Sequence, residues 1–296
     1  MQPADLFTLE DQDWRVKIDA ARGGLISECR WRGLEVLSTA KAGVWPAAAH
    51  AGCFPLVPFS NRNRDAAFSF AGNDVSLPVP EFAMPHALHG LGWRSPWILQ
   101  NPSAGEVIWT QTNAGGAWPW PYEARQRLAV AGPRLTLTIE IENTGTGPMP
   151  AGIGLHPYFP RRPDLEISIR AGGFWQTDAS NPGIPTRWSA RDPDADIFTG
   201  KHPDSVDLDH CFTGWNRTAR LDYRDTKLRI DLSANETLSN IVVYCPSDRN
   251  VLCLEPVSHV NNAANLSQLD PLQRMDSLEP GQRLSGTMIV SLSSAD

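Results

Sequence analysis

Hydrophobic and polar positions alternate with a period of two along most of this chain. The clearest stretch is YEARQRLAVAGPRLTLTIEIEN, where Leu135, Leu137, Ile139 and Ile141 alternate with polar or small residues after a Gly132-Pro133 turn. That pattern predicts a β-hairpin, because successive side chains of a strand point to opposite faces and Gly-Pro ends an extended run. The runs DWRVKIDA, EVIWTQT, LEISIRA, KLRIDLSA, NIVVYC, VLCLEP and GTMIVSLS read the same way, bounded by Gly, Pro, Asn and Asp. Helical periodicity is nearly absent. Only NLSQLDPLQRMDSL, around Ser267, has room for short helical turns, and Pro271 interrupts them.

Strands without intervening helices exclude a doubly wound α/β sheet and favour packed antiparallel sheets. No internal repeat suggests a propeller. The expected fold class is therefore all-β, a large antiparallel β-sandwich, with residues 1–296 forming one domain; sandwiches of roughly 250 residues commonly form single units. The segment from Gly172 to Asp209 is rich in Pro, Gly and Asp and reads as long loops within that domain. Loops on a rigid sandwich are where sites are usually built.

Composition narrows the partners. A net charge of −7 with no basic run argues against nucleic acid and anionic membranes, which require clustered Lys and Arg. The first twenty residues carry seven charged side chains from Asp5 to Asp19, which leaves no apolar signal core, and no stretch approaches the ~20 apolar residues of a membrane span. Five cysteines, odd in number and never CxxC-spaced, suit buried reduced thiols in a cytoplasmic protein. The expected partner is a small molecule, bound by a monomer or homodimer. Eleven tryptophans against four tyrosines, many beside Gly or Pro (Trp93, Trp97, Trp118, Trp120, Trp188, Trp215), offer flat apolar platforms for sugar rings as well as core.

Four stretches set rare polar residues in unusual company. FSNRNRDAAF carries Arg62 and Arg64 after asparagines; alone, it reads as a solvated loop. PHALHGLGW sets His86 and His89 between prolines and glycines, and Gly90 and Gly92 let backbone approach a ligand closely; a structural histidine fits equally well. In GIGLHPYFP, the proline after His156 forces that histidine into extended geometry beside Tyr158 and Phe159. In VLCLEPVSHVNNAAN, Glu255 closes an apolar strand, and a glutamate in such company needs a partner or a function. Asp209 in VDLDHCF is a weaker case of the same kind. His86, His89 and His156 form a conceivable zinc set, but the HxxH spacing is not diagnostic off a helix. No GxSxG, phosphate loop or dinucleotide fingerprint occurs. What remains is a β-scaffold with acid and base groups, an arginine and aromatic surfaces, which suits proton transfer on a carbohydrate.

Taken together and in order, SNRNRDAAF, LHGLGW, GLHPYF, LDHCF and CLEP resemble the motifs of the aldose 1-epimerase, or galactose mutarotase-like, family from Ser60 to about Asn265. The resemblance implies a galactose mutarotase-like supersandwich and the interconversion of α and β anomers of a free sugar with no cofactor and no metal. It also implies Glu255 as general base, His156 as general acid, and His89, Arg62 and Asp209 as substrate-binding residues. Arg62 is preferred over Arg64 because its distance to Phe68 fits the family pattern. The chain departs from that pattern in reading His-Gly-Leu-Gly-Trp and in placing Asn63 after Asn-Arg, which sets it among divergent members. The substrate is thus open between neutral sugars and anionic ones, for which Arg64, Arg94 or His86 would serve. Competing readings are a non-catalytic carbohydrate-binding or regulatory protein on the same fold, and a glycosidase using Asp209 and Glu255 as paired carboxylates.

Overall fold

A computed structural model describes residues 6–295 except 12, 41–51, 104, 179, 199–201, 249 and 268. Among the described residues, strands and a few 3₁₀ turns make up the regular structure. All the strand-like runs of the sequence form strands. The hairpin Tyr122–Ala131 with Arg134–Asn143 closes through Gly132 and Pro133, with Gly132 at φ +53°, the left-handed conformation a two-residue hairpin loop needs.

Pairing is antiparallel throughout the main sheet system. One half runs from Trp14–Asp19 through Leu25–Trp31, Cys53–Leu56, Gly154–Phe159, Leu252–Val257 and Asn240–Cys245 to the start of Leu208–Tyr223. The other half runs from the end of that same long strand through Leu228–Ala234, Arg283–Ser294, Arg134–Asn143, Tyr122–Ala131 and Glu106–Asn113. The 16-residue strand Leu208–Tyr223 serves both halves because it bends at Gly214 and Arg217, both at positive φ. Its neighbour Leu165–Asp178 shifts register at the same level. Two layers of one continuous sheet therefore enclose the main core, which includes Trp109, Leu137, Ile139, Ile241, Leu252 and Leu254.

Three strands, Gly154–Phe159, Asn240–Cys245 and Leu252–Val257, are buried almost throughout. Alternation explains this. Leu252 and Leu254 enter the sandwich core, while Cys253 and Val257 join a second cluster on the opposite face with Phe54, Trp93, Tyr158, Val242 and Val260. A strand covered on both faces reads as a continuous apolar run, as VLCLEP does.

Two expectations are corrected. The segment from Gly172 to Asp209 is not mainly loop: Leu165–Asp178 continues into it and pairs with Asn181–Ala190, Trp175 facing Trp188. Its prolines are tolerated because Asn181–Ala190 pairs along one edge only, and Gly173 lies where a Cβ would meet the Trp188 ring at 2.5 Å. Most loop tryptophans are core, not platforms. Trp93, Trp97, Trp118 and Trp215 are buried, three of them with the indole N–H given to a nearby backbone carbonyl (Leu88, Gly92 and Thr218), whereas Trp188 is 43% exposed. The five cysteines are buried and form no disulfide. Among the described residues no helix is long and apolar enough to cross a membrane.

Because Leu254 sits in the sandwich core directly beneath the second face, Leu254→Ala is expected to cost about 2–5 kcal/mol of unfolding free energy. Ile98→Ala, at a side chain 69% exposed, should stay within about 0.5 kcal/mol of the parent. Denaturant titration of both variants distinguishes the two cases.

Candidate active site

Strand register builds the centre of the site. Gly154 opposes Val257 and Tyr158 opposes Cys253, so His156 lies directly across from Glu255 on the second face. Phe54 opposes His156 on the other side, and Val242 opposes Glu255. One row across the sheet thus reads Phe54, His156, Glu255, Val242, Cys211, Trp175; the next reads Tyr158, Cys253, Tyr244, Asp209. The imidazole of His156 is stacked between Phe54 (ring centroids 4.4 Å apart) and Tyr158 (4.7 Å), which fixes its plane.

His156 Nε2 lies 3.2 Å from Glu255 Oε1, and the two residues are 5% and 2% exposed. Burial pushes the His156 imidazole down to about 3 and the Glu255 carboxyl well up; Asp209 raises Glu255 further and Arg62 opposes this. Both groups are thus driven toward their neutral forms, which leaves one proton held between a carboxyl and an imidazole. Glu255 Oε2 is buried without a hydrogen-bond partner among the described residues.

The other sequence-predicted site residues converge on this pair. The His89 ring meets His156 edge-on at 5.0 Å. His89 Nδ1 accepts from the Asn61 N–H (3.1 Å), and the His89 N–H returns a bond to the Asn61 carbonyl (2.9 Å). That engagement leaves the proton on Nε2, so His89 faces the site as a donor, and burial holds it neutral. Arg62 Nη1 stands 4.0 Å from Asp209 Oδ2, both partly exposed. Partial burial raises the Asp209 carboxyl and Arg62 opposes the rise.

His86, Arg64 and Arg94 are not part of this arrangement. His86 is buried and its Nδ1 accepts from the Asp65 N–H. Arg64 and Arg94 are exposed, the latter over the face of Trp93 at 5.8 Å. The three-histidine metal set does not form; among the described residues the close donor group is His156, Cys253 and Glu255. A Cβ on Gly90 would sit 2.3 Å from the Val57 carbonyl, and one on Gly92 would sit 2.4 Å from a Val57 methyl, so both glycines let the loop pack closely on Val57.

Residues after Glu255, which drew no attention in the sequence, hold the Arg62 loop. His259 Nε2 accepts from the Ser60 N–H (3.1 Å), while its Nδ1 faces the Val260 carbonyl at 2.8 Å. Gly152 makes room for that ring, since a Cβ there would lie 2.1 Å from it. The Asn262 N–H donates to the Arg62 carbonyl (2.8 Å), and Asn262 Oδ1 accepts from the Arg64 N–H (2.9 Å). Gly183 leaves space for the guanidinium, 2.4 Å from where its Cβ would be. The available signal was the polar run SHVNN directly after an apolar strand, since buried polar residues occur where backbone needs partners.

Burial pulls His259 down to about 4. A histidine lowered in the folded state binds its proton more readily when unfolded, so stability is retained above about pH 6.5 and lost as pH falls toward 4. The raised Glu255 acts with the opposite sign, costing stability as pH rises through its folded value. His259→Gln, which keeps an acceptor for Ser60, is therefore expected to reduce the stability lost between pH 7.5 and 4.5 by roughly 2 kcal/mol, measured by denaturant unfolding across that range.

Comparisons with known proteins agree with this fold. The profile of the family described as Aldose 1-epimerase matches residues 5–291. YphB of Escherichia coli strain K12, an uncharacterized protein, is 27% identical over 264 residues, which is 82% of this chain and 85% of YphB. A crystal structure attributed to the aldose 1-epimerases, from Escherichia coli K12, superposes with a TM-score of 0.85 at 24% identity over 98% of this chain and 99% of that one. A galactose mutarotase-like protein from Clostridium acetobutylicum superposes with a TM-score of 0.85 at 18% identity, covering 97% and 94%. With the profile spanning nearly the whole chain and the same sandwich recurring in these structures, the chain belongs to the aldose 1-epimerase family.

Proposed function

We propose that this protein is a mutarotase, catalysing exchange between the α and β anomers of a free aldose by acid–base chemistry. The observation that carries the reading is the buried His156–Glu255 pair at 3.2 Å, joined by a neutral donor histidine and an Arg62–Asp209 pair. Opening a hemiacetal needs one proton removed from the anomeric hydroxyl while another reaches the ring oxygen. With the shared proton on His156, Glu255 is a carboxylate and takes the anomeric proton; the C1–O bond to the ring breaks with its electron pair going to the ring oxygen, which His156 protonates. Rotation about C1–C2 presents the other carbonyl face; as the ring closes, Glu255 returns its proton to the anomeric oxygen and His156 takes back the proton from the ring hydroxyl. Proton transfers alone complete the cycle, so it calls for no cofactor.

The remaining residues have roles that fit their settings. Arg62 favours the carboxylate form of Glu255, and its charge opposes the rise that burial and Asp209 impose. In this reading His89 Nε2–H donates to a sugar oxygen and Asp209 accepts from sugar hydroxyls. The partial offset of Arg62 by Asp209 supports a neutral sugar over a phosphorylated or acidic one, since an anionic group would have to compete with that carboxylate. A single-domain protein working in the cytoplasm as a monomer or homodimer fits five buried thiols and a net negative charge.

NMR exchange spectroscopy on a panel of neutral, phosphorylated and acidic sugars tests the proposal. Wild-type protein should accelerate anomer exchange of at least one neutral aldose. Glu255→Gln and His156→Asn should each reduce the rate by about 10²- to 10⁴-fold, the typical worth of a positioned proton transfer. No acceleration with any sugar would instead favour a carbohydrate-binding role, and full activity in both variants would refute the assigned roles.

A further inference from the structure

We infer that Cys253 converts the catalytic pair into a binding site for a soft divalent cation such as Zn²⁺ or Cd²⁺, and that occupancy shuts the pair off. The binding stands on geometry alone; its inhibitory consequence rests on the mutarotase reading. Cys253 is two residues before Glu255 on the same strand, so its side chain shares the Glu255 face, and it opposes Tyr158 next to His156. The thiol, imidazole and carboxylate ligand atoms all lie within 4.8 Å of one another, and all three residues are buried.

The spacing suits a tetrahedral ion. Two ligands at the usual Zn–N and Zn–O lengths lie about 3.3 Å apart. His156 Nε2 and Glu255 Oε1 are already separated by 3.2 Å. A thiolate at its longer bond length would stand about 3.5 Å from each, so, with all three donors within 4.8 Å, the sulfur has at most about 1.3 Å to close. Glu255 Oε2, buried and unpartnered among the described residues, gives the carboxylate a second oxygen for the ion. One sulfur, one nitrogen and one carboxylate select zinc-like ions over Mg²⁺ and Ca²⁺, which favour shells of oxygen.

The exchange balances. A dication enters, Cys253 releases its thiol proton, and the pair releases the proton held between His156 and Glu255. The ion is left on a thiolate, a neutral imidazole and a carboxylate. It thereby occupies the lone pairs that the reaction uses and removes the proton it moves, so bound metal and turnover exclude each other.

The test uses full-length protein stripped with a chelator and titrated with Cd²⁺, reading the near-ultraviolet thiolate-to-metal charge-transfer band. Wild type should bind one ion with that band. Cys253→Ala and the near-isosteric Cys253→Ser should lose it, and Glu255→Gln should bind at least tenfold more weakly. In parallel, Zn²⁺ should suppress wild-type anomer exchange reversibly, while each Cys253 variant keeps its own metal-free rate. Absence of the band in wild type, or its persistence in both Cys253 variants, overturns the site even if mutarotation is found. A band that depends on Cys253 in a protein that accelerates no sugar's exchange sustains the metal site and removes the mutarotase reading.

Discussion

The contact between His156 and Glu255 depends on a single strand register, and much of the structure serves to keep that register buried. Facing positions on adjacent strands bring imidazole and carboxyl within hydrogen-bond distance, and a slip of one residue in either strand would turn that strand's member of the pair into the sandwich core. Two ionisable groups in such a setting are costly unless they satisfy each other. Here they do so by holding one proton between them, with aromatic rings on both sides of the imidazole to prevent it from turning away. The second apolar cluster is what makes the pair dry. Phe54, Trp93, Tyr158 and Val242 cover a sheet face that an ordinary antiparallel sandwich would leave to water.

Around this pair the site is assembled by backbone bonds between distant segments. Ser60 is joined to His259, 199 positions away, and Arg64 to Asn262, 198 away. Asn61 and His89 bond each other twice, and Asn61, His89 and Asn262 all adopt positive φ, a strained choice for non-glycine residues. Such conformations persist where surrounding bonds over-determine them. The loop that carries Arg62 is therefore fixed by the segment that follows the Glu255 strand, so that loop, His89 and the Glu255 strand belong to one connected framework.

The alternating strands, including the Gly132-Pro133 hairpin, were legible in the sequence because period-two burial is a local property. Glu255 and His156 were legible too, each as a polar residue in apolar surroundings before a proline. The strand pair from Gly172 to Ala190 was not, since its prolines and glycines read as loop until pairing along a single edge makes them tolerable. The tryptophans stayed open between core and platform for a related reason: whether an indole beside a glycine is one or the other depends on which carbonyl its N–H reaches. The parts played by His259 and Asn262 exist only in long-range hydrogen bonds. Cys253 had a signal, its i−2 spacing from Glu255 on a strand, which becomes meaningful once that strand is known to be buried on both faces.

The central claim is that His156 and Glu255 act as one proton-transferring unit, and a double-variant cycle on anomer exchange tests it most directly. Rates would be measured for wild type, His156→Asn, Glu255→Gln and the double variant on a sugar the wild type accepts. The account predicts strong non-additivity: the double variant should be no more than about tenfold slower than the slower single variant, as for catalytic groups that work together. Losses that multiply across the two substitutions would show independent contributions and contradict it.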